Sequence, residues 1–365
     1  MAKRAKQAEL IAEIDSKIGE VRTEAIDLSF GEIVNLKKSK EVIIDPEYQR
    51  LFRWSDQQKS RFIESVLLRL PIPPIFFMEN EDGTLELIDG LQRISSMIQL
   101  IESDLIDRTP LCLDGCDIIH SLDGYIFDDL PIALRLQLKR STVRAIVIKR
   151  QSKSFLRYEM FKRLNTGGSQ LSPQELRNCS ARLLGEGGTQ FYDFILELAQ
   201  QTSFVDATET LAEVDIEKRG REELVLRFFA AKNGSGYYAG HVGDWLDKYM
   251  EEVLLEREHF DMKKERKIFE RVFDCIDKSL GEGAFCKYQN DAPVGGLAPA
   301  HYEAVAIAFC NKIDECEAAN SEALKGSIVK AKQSKSFRDN VGPGANNKTK
   351  LRGRIAAIEL AIGTI

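Results

Sequence analysis

The chain has 365 residues, of which 43% are hydrophobic and 30% charged, a composition typical of folded globular proteins with two or three hydrophobic cores. No run approaches the roughly 18 consecutive apolar residues of a membrane-spanning helix, and the basic start Met1–Lys6 is not followed by the apolar stretch of a signal peptide. The seven cysteines lack paired spacing, which favours reduced thiols, so we predict a cytoplasmic protein with no membrane partner.

The first elements alternate between helix and strand. Residues 1–24 predict a polar helix or a loosely held arm. A short strand at Ile43 and Ile44 ends before Pro46, because proline lacks the backbone donor that a strand needs. Ser55 with Gln58 three residues later forms a capping-box pattern, and the apolar spacing that follows predicts a helix up to Leu70.

A predicted hairpin comes next. Ile75–Met78 and Thr84–Ile88 read as strands joined by a turn at Asn80–Gly83. The second strand runs directly into Asp89-Gly90-Leu91-Gln92-Arg93, after which the apolar residues take up helical spacing. The order strand, glycine turn, helix is therefore predicted at Asp89–Arg93.

The remaining elements separate two regions. Val143–Ile148 predicts a strand, Phe155–Leu164 a helix, and Ser172 with Pro173 and Glu175 a strong helix start. Beyond about Leu183 helical periodicity dominates. We therefore predict three segments: 1–24 as the arm, 25–184 as an α/β domain and 185–365 as a mainly helical region.

The Asp89–Arg93 turn has two interpretations. A glycine turn that opens a helix exposes the first amide groups and the positive end of the helix dipole, and Arg93 offers a planar fork for phosphate oxygens. Gln92, Ser95 and Ser96 add further polar groups in the first turn. The alternative is a simple turn in which Arg93 pairs with Asp89, and spacing alone leaves both open.

Residues Tyr48–Trp54 are unusually aromatic and basic for a connecting loop. Either the aromatic residues pack and the arginines stay solvated, or Arg50 and Arg53 balance the charge of a phosphate-bearing ligand. We favour a functional role for Arg50 and a packing role for Trp54.

The segment from Asn165 to Glu175 also has two interpretations. It is either a loop that closes over a ligand, with Asn165 as a polar contact, or the end of one helix followed by the start of another. The helix boundary accounts for most of these residues, and the role of Asn165 stays open.

A basic strip lies near the end of the chain. Residues 325–354 hold nine lysines and arginines against one acid, although the whole chain has a net charge of −6. Lys348, Lys350, Arg352 and Arg354 are the candidate nucleic-acid contacts, since clustered cations bind phosphate. A solvated surface segment is the alternative that we favour.

Two other patterns are weak. Gly342–Thr349 departs from a phosphate-binding loop at Asn347, and no hydrophobic strand precedes it. Cys112, Cys116 and His120 have loose ligand-like spacing without an evident fourth ligand, so we predict no protein metal site.

Three separated motifs resemble the N-terminal domain family of GmrSD-type, modification-dependent restriction systems, in the ParB/sulfiredoxin-like superfamily. The family's Asp-Gly-Gln-Gln-Arg turn is similar to Asp89–Arg93, with Leu91 in place of the first glutamine. Its Tyr-Gln-Arg segment with a following aromatic residue and tryptophan resembles Tyr48–Trp54, and its Phe-x-Arg-Leu-Asn pattern resembles Phe161–Asn165. The likeness covers about residues 25–180.

The resemblance implies an α+β protein, with a ParB/sulfiredoxin-like N-terminal α/β domain followed by a mainly helical C-terminal region. It also implies that the turn holds nucleotide phosphates, and some relatives hydrolyse nucleoside triphosphates there. The candidate catalytic residues are then Asp89, Gln92 and Arg93, and the candidate nucleotide-binding residues are Gln49, Arg50, Arg53, Gly90, Ser95, Ser96 and Asn165.

We therefore expect a nucleotide-binding, nucleoside-triphosphate-hydrolysing module of a prokaryotic anti-phage or restriction system, with Mg²⁺ as a candidate cofactor. The alternative is a non-catalytic DNA-binding or sensor subunit that nucleotide regulates, while a separate nuclease or defence subunit cleaves. Direct DNA cleavage by this chain is the least supported reading, because no carboxylate cluster has recognisable metal-binding spacing and no His-Asn-His arrangement is present.

Overall fold

A computed structural model of the chain describes residues 22–44, 54–152, 172–182, 184–342 and 344–365, together with Leu10 and Met160. The chain divides into two compact units, Met1–Ser169 and Gln170–Ile365. The N-terminal unit combines a sheet with helices and the C-terminal unit is almost entirely helical, which confirms the predicted α+β class. No helix in the described ranges is both long and apolar enough to cross a lipid bilayer.

A five-stranded mixed sheet forms the centre of the N-terminal unit. Its strands are β1 (Thr23–Ser29), β2 (Val42–Ile43), β3 (Ile75–Glu79), β4 (Leu85–Asp89) and β5 (Thr142–Ile148). Their order in the sheet is β1-β5-β3-β4-β2. β3 pairs antiparallel with β4, as the predicted hairpin requires, and parallel with β5. The carboxyl end of β4 therefore lies beside the middle of the sheet.

In the described residues of this unit, four helices accompany the sheet: α1 (Phe30–Lys38), α2 (Asp56–Leu67), α3 (Leu91–Glu102) and α4 (Ile132–Arg140). The predicted capping box of α2 is confirmed, because the Ser55 hydroxyl accepts from the Gln58 N–H and the Gln58 side chain accepts from the Ser55 N–H. α2 ends at Leu67, slightly before the predicted end, and Leu70 is exposed.

The segment between α3 and α4 consists of loops and short 3₁₀ turns. Glu64 on α2 fixes it in place, since its buried carboxylate accepts the backbone N–H groups of Asp117, Ile118 and Ile119. Burial alone would raise the pKa of Glu64, but these three amide donors outweigh it and lower the pKa. One ionised side chain thus fixes three consecutive amide groups of an irregular segment.

The C-terminal unit is built from helices around an aromatic core. The helices are α5 (Pro173–Arg182), α6 (Glu186–Ala199), α7 (Thr202–Ala207), α8 (Glu213–Glu217), α9 (Gly220–Asn233), α10 (Val242–Leu254), α11 (Met262–Leu280), α12 (Pro299–Asn311), α13 (Ile313–Ala318), α14 (Ser321–Gln333), α15 (Lys335–Val341) and α16 (Lys348–Ile362). A small hairpin of β6 (Lys287–Gln289) and β7 (Ala292–Val294) interrupts them. The Ser172–Glu175 capping box that opens α5 is confirmed by reciprocal hydrogen bonds.

A buried charge network crosses the helices of this unit. Glu303 on α12 pairs with Arg227 on α9 at 3.0 Å and with Arg354 on α16. Arg354 also donates to the backbone carbonyls of Asn340 and Ala345 at 3.4 and 2.9 Å. Both partners are almost fully buried, with 1% of the Arg354 side chain and 2% of Glu303 exposed. This network connects three helices that are distant in sequence.

Candidate functional site

Gly90 forms the turn between β4 and α3. Its φ is 101°, in the left-handed region that side chains disfavour. A Cβ atom added at this position would lie 2.5 Å from the Ile75 Cγ2 atom on the neighbouring strand. Backbone conformation and close strand packing therefore both require glycine, and together they start α3 directly at the end of the strand.

The first turn of α3 has the features of an anion-binding helix N-terminus. Gly90 provides no side-chain cap, and the first intrahelical bond runs from the Ile94 N–H to the Gly90 carbonyl at 2.9 Å. The first amide groups of any helix lie beyond the reach of its own carbonyl acceptors, and the helix dipole places positive potential there. This confirms the predicted strand, glycine turn and helix.

Arg93 is held by two sets of acceptors. Its Nη2 lies 2.9 Å from Asp89 Oδ2, and its Nη1 donates to the carbonyl oxygens of Pro73 and, at 3.1 Å, Pro74. The Asp89 side chain is 32% exposed and that of Arg93 only 14% exposed. Arg93 therefore pairs with Asp89, as one of the two interpretations of the sequence required. This pairing fixes the guanidinium beside the turn.

Gln92 links the turn to the segment that precedes α2. Its Oε1 accepts the backbone N–H of Trp54 at 3.2 Å. The Trp54 ring packs against Phe62, with 5.9 Å between ring centroids. The predicted packing role of Trp54 is therefore confirmed, and Gln92 bonds to this one described residue of the Tyr48–Trp54 motif.

The hydroxyl groups of Ser95 and Ser96 bond back to their own helix. Both are buried, and both hydroxyls donate to the carbonyl oxygen of Gln92, at 3.2 and 2.5 Å. A hydroxyl bonded back to its own helix is withdrawn from solvent, and the role of these two serines in nucleotide binding stays a prediction. Four other candidates, Gln49, Arg50, Arg53 and Asn165, lie outside the described residues, as does the predicted helix at 155–164.

The basic strip is not a uniform surface. Arg352 is exposed and Lys348 is half-buried, but Arg354 is buried and bonded to Glu303. The expectation that Arg354 contacts nucleic acid is therefore wrong, because its guanidinium neutralises a buried carboxylate instead. Asn347 caps α16 by accepting from the Lys350 N–H at 2.8 Å, so the loop that resembled a phosphate-binding motif is a helix start.

Across the residues that the structure describes, no three His, Cys, Asp or Glu side chains lie close enough to hold a metal ion. Burial raises the pKa of the Cys116 thiol to about 12, and the His120 ring bonds to the Cys116 carbonyl oxygen at 2.8 Å. The thiol is therefore protonated near neutral pH.

Sequence reasoning missed the backbone acceptors at Pro73 and Pro74. They fix Arg93, yet carbonyl oxygens leave no residue-type signature. The run Pro71-Ile72-Pro73-Pro74 before β3 was the available signal, because consecutive prolines set an extended backbone whose carbonyl oxygens are not taken up by a helix.

The N-terminal unit is thus an α+β domain with a glycine turn and a fixed arginine at the start of a central helix. Residues 30–181 match the family described as the GmrSD restriction endonuclease, N-terminal domain. This segment of the chain is identified as a GmrSD N-terminal domain. No curated protein and no solved structure matches the chain.

Proposed function

We propose that the Asp89–Arg93 turn binds the phosphates of a nucleoside triphosphate and that the protein hydrolyses this nucleotide as part of a restriction system. The observation that carries the proposal is the start of α3: a strand ends in a left-handed glycine, and the helix begins with no side-chain cap. A helix N-terminus of this kind favours phosphate through its amide donors and its dipole.

The side chains of the turn have distinct proposed roles. Arg93 has a fixed guanidinium because Asp89 and two proline carbonyls hold it, so little ordering is needed when it meets phosphate. Asp89 is the more exposed member of the pair, and Gln92 is oriented by the Trp54 amide. We assign Arg93 to charge neutralisation and Asp89 with Gln92 to positioning of the attacking water.

We propose Mg²⁺ as a companion of the nucleotide at this turn. Asp89 is the carboxylate of the turn and is already bonded to Arg93, so the ion would be held mainly by phosphate oxygens and water. When bound, it would supply positive charge to the phosphates. Arg50, Gln49, Arg53 and Asn165 remain proposed nucleotide contacts on the basis of their sequence motifs.

DNA and a separate nuclease subunit are the proposed partners, in keeping with the restriction-system family. Of the four basic residues assigned to nucleic acid, three are retained in this proposal: Lys348, Lys350 and Arg352. The alternative function is a sensor in which nucleotide sets the conformation and the partner cleaves.

Turnover separates the enzyme from the sensor. We expect steady-state phosphate release by the wild-type protein with ATP or GTP, measured with and without duplex DNA. Asp89→Asn and Gln92→Ala should lower the rate about 10²-fold or more while changing nucleotide affinity much less, because positioning of water acts on the transition state. No turnover with either nucleotide, or wild-type turnover in both variants, would leave the sensor function in its place.

A further inference from the structure

A concave surface lies in the N-terminal unit, between the end of α2 and helix α4. It has a volume of about 690 Å³ and is lined by Val66, Arg69, Leu70, Leu136, Gln137 and Arg140, among others. It shares no residue with the Asp89–Arg93 turn. We call it the α2–α4 groove.

The wall on the α2 side is a strained turn. Arg69 has a φ of 57°, in the left-handed region where glycine is usual after a helix. The Leu70 N–H donates to the Ser65 carbonyl at 2.9 Å and the Arg69 N–H to the Val66 carbonyl at 3.1 Å, which closes the helix end. The turn directs the chain so that Arg69 and Leu70 are both exposed.

The wall on the α4 side is fixed and carries both apolar and polar side chains. Gln137 donates from Nε2 to the Leu67 carbonyl at 2.7 Å, which ties α4 to the end of α2. Ile132, Ala133 and Leu136 share one face of α4 by helical spacing and are all exposed. Ile132 is 62% exposed and Leu70 46% exposed. Exposed apolar side chains that cluster, rather than occurring singly, mark interaction surfaces.

Arg69 and Arg140 supply positive charge to the groove. In the described part of the chain, neither side chain makes an ion pair or a side-chain hydrogen bond. Three other arginines of the same unit behave differently: Arg61, Arg135 and Arg144 each lie within 4 Å of an aspartate oxygen, at 3.1, 3.7 and 3.0 Å. Two cations beside apolar side chains therefore lack the carboxylates that arginine elsewhere in this unit has.

We propose that the α2–α4 groove docks a segment of another protein in which acidic side chains alternate with large apolar ones. Carboxylates of the partner would pair with Arg69 and Arg140, and its apolar side chains would cover Leu70 and Leu136. A nucleic-acid backbone matches the arginines but leaves the apolar side chains exposed, so a polypeptide fits both features better. The proposal goes beyond nucleotide binding and does not depend on it.

The test is selection of random twelve-residue peptides, displayed on phage, against the full-length protein. We expect the selected peptides to be enriched in Asp and Glu beside Leu, Ile or Phe. Their affinity should fall at least 10-fold for the Arg69→Gly/Arg140→Gln protein and for Leu136→Ser. Arg150→Gln is the matched control, since Arg150 is exposed in the same unit but does not line the groove, and it should change affinity less than 2-fold.

Arg69→Gly also separates binding from folding. Glycine relieves the left-handed strain at this position, so the melting temperature of the single variant should equal or exceed that of the wild type while peptide affinity falls. Peptides that bind the double variant as tightly as the wild type, or a failure to enrich acidic and apolar residues, would overturn the proposal. So would a single-stranded oligonucleotide that loses affinity for the double variant when peptides do not, or a dimer in sedimentation that Leu136→Ser abolishes.

Discussion

Two arginine–carboxylate pairs, one in each unit, differ in what surrounds them. Asp89 and Arg93 lie at the start of a helix, with Asp89 partly exposed and the two residues only four positions apart. Glu303 and Arg354 are buried, come from different helices and share Arg227 as a third member. The first pair retains access to solvent, whereas the second has none.

The difference in solvent exposure gives the two ion pairs different roles. A buried ion pair is expensive to leave incomplete, because removal of one partner strands a charge away from water. A partly exposed pair contributes little to stability but can exchange one partner for a ligand. We therefore expect Glu303 to control folding of the C-terminal unit and Arg93 to control binding.

Glu303→Gln should have the largest effect on stability. The substitution keeps the shape of the side chain but leaves Arg227 and Arg354 without their shared carboxylate. We expect the free energy of unfolding to fall by about 3–5 kcal/mol. Denaturation in urea, followed by circular dichroism, measures it.

Glu315→Gln is the matched control, because Glu315 pairs with Lys312 at 2.7 Å on the surface. Its expected cost is below about 1 kcal/mol. Equal losses in the two variants would contradict the distinction between buried and exposed pairs.

A second prediction concerns the stability of the protein at acidic pH. His301 is buried against Phe337, its Nδ1 has no hydrogen-bond partner among the described residues, and its pKa is lowered to about 3 by burial and by the cations of Lys332, Lys287 and Arg354. Since the ordinary pKa of histidine is 6.5, the unfolded chain takes up this proton first as the pH falls. The free energy of unfolding should therefore decrease between pH 6.5 and pH 3, by on the order of 3 kcal/mol from this group.

His301→Gln removes that titration. We expect the variant to lose less stability than the wild type between pH 6.5 and pH 3, with urea denaturation at intermediate pH values as the measurement. Lys332, whose pKa burial lowers to about 7, titrates above this window in the unfolded chain and does not mask the result. If the free energy of unfolding falls equally with pH in the two proteins, protonation of His301 does not destabilise the folded state.

The smallest stability difference tests the glycine turn. Gly90 and Gly83 both have left-handed φ values, 101° and 87°, but only Gly90 lies against another strand. Gly90→Ala should cost about 1–2 kcal/mol more than Gly83→Ala, because the added methyl group meets Ile75 in addition to the backbone strain common to both. Thermal denaturation of the two variants compares them directly, and equal melting temperatures would mean that close packing does not fix the turn.

Local patterns predicted the parts of the fold in which neighbouring residues decide the outcome. The capping boxes at Ser55 and Ser172 and the hairpin of β3 and β4 are confirmed because their signals lie within a few residues. β1 and α1 were not predicted. The strand Thr23–Ser29 is half polar, and it owes its place to pairing with β5 more than a hundred residues later.

The candidate site was predicted in position but not in detail. The strand, glycine and helix around Gly90 follow from sequence order, whereas the burial of Ser95 and Ser96 depends on helix rotation. Arg354 shows the same limit: its charge suggested a surface, but its partner Glu303 lies on another helix. Sequence identifies residue types, and tertiary packing decides which of them meet solvent.

Binding of a nucleoside triphosphate through Arg93 is tested most directly by calorimetric titration. ATP and GTP are titrated into the wild-type protein, Arg93→Ala and Arg144→Ala. Arg144 is the matched control, since it pairs with Asp27 in the same unit at 3.0 Å and lies on the exposed face of β5. We expect Arg93→Ala to weaken binding by about 1.5–3 kcal/mol, roughly 10- to 150-fold, and Arg144→Ala to leave it within about 2-fold. A folded Arg93→Ala protein that binds both nucleotides with wild-type affinity, or a wild type that binds neither, would contradict the account.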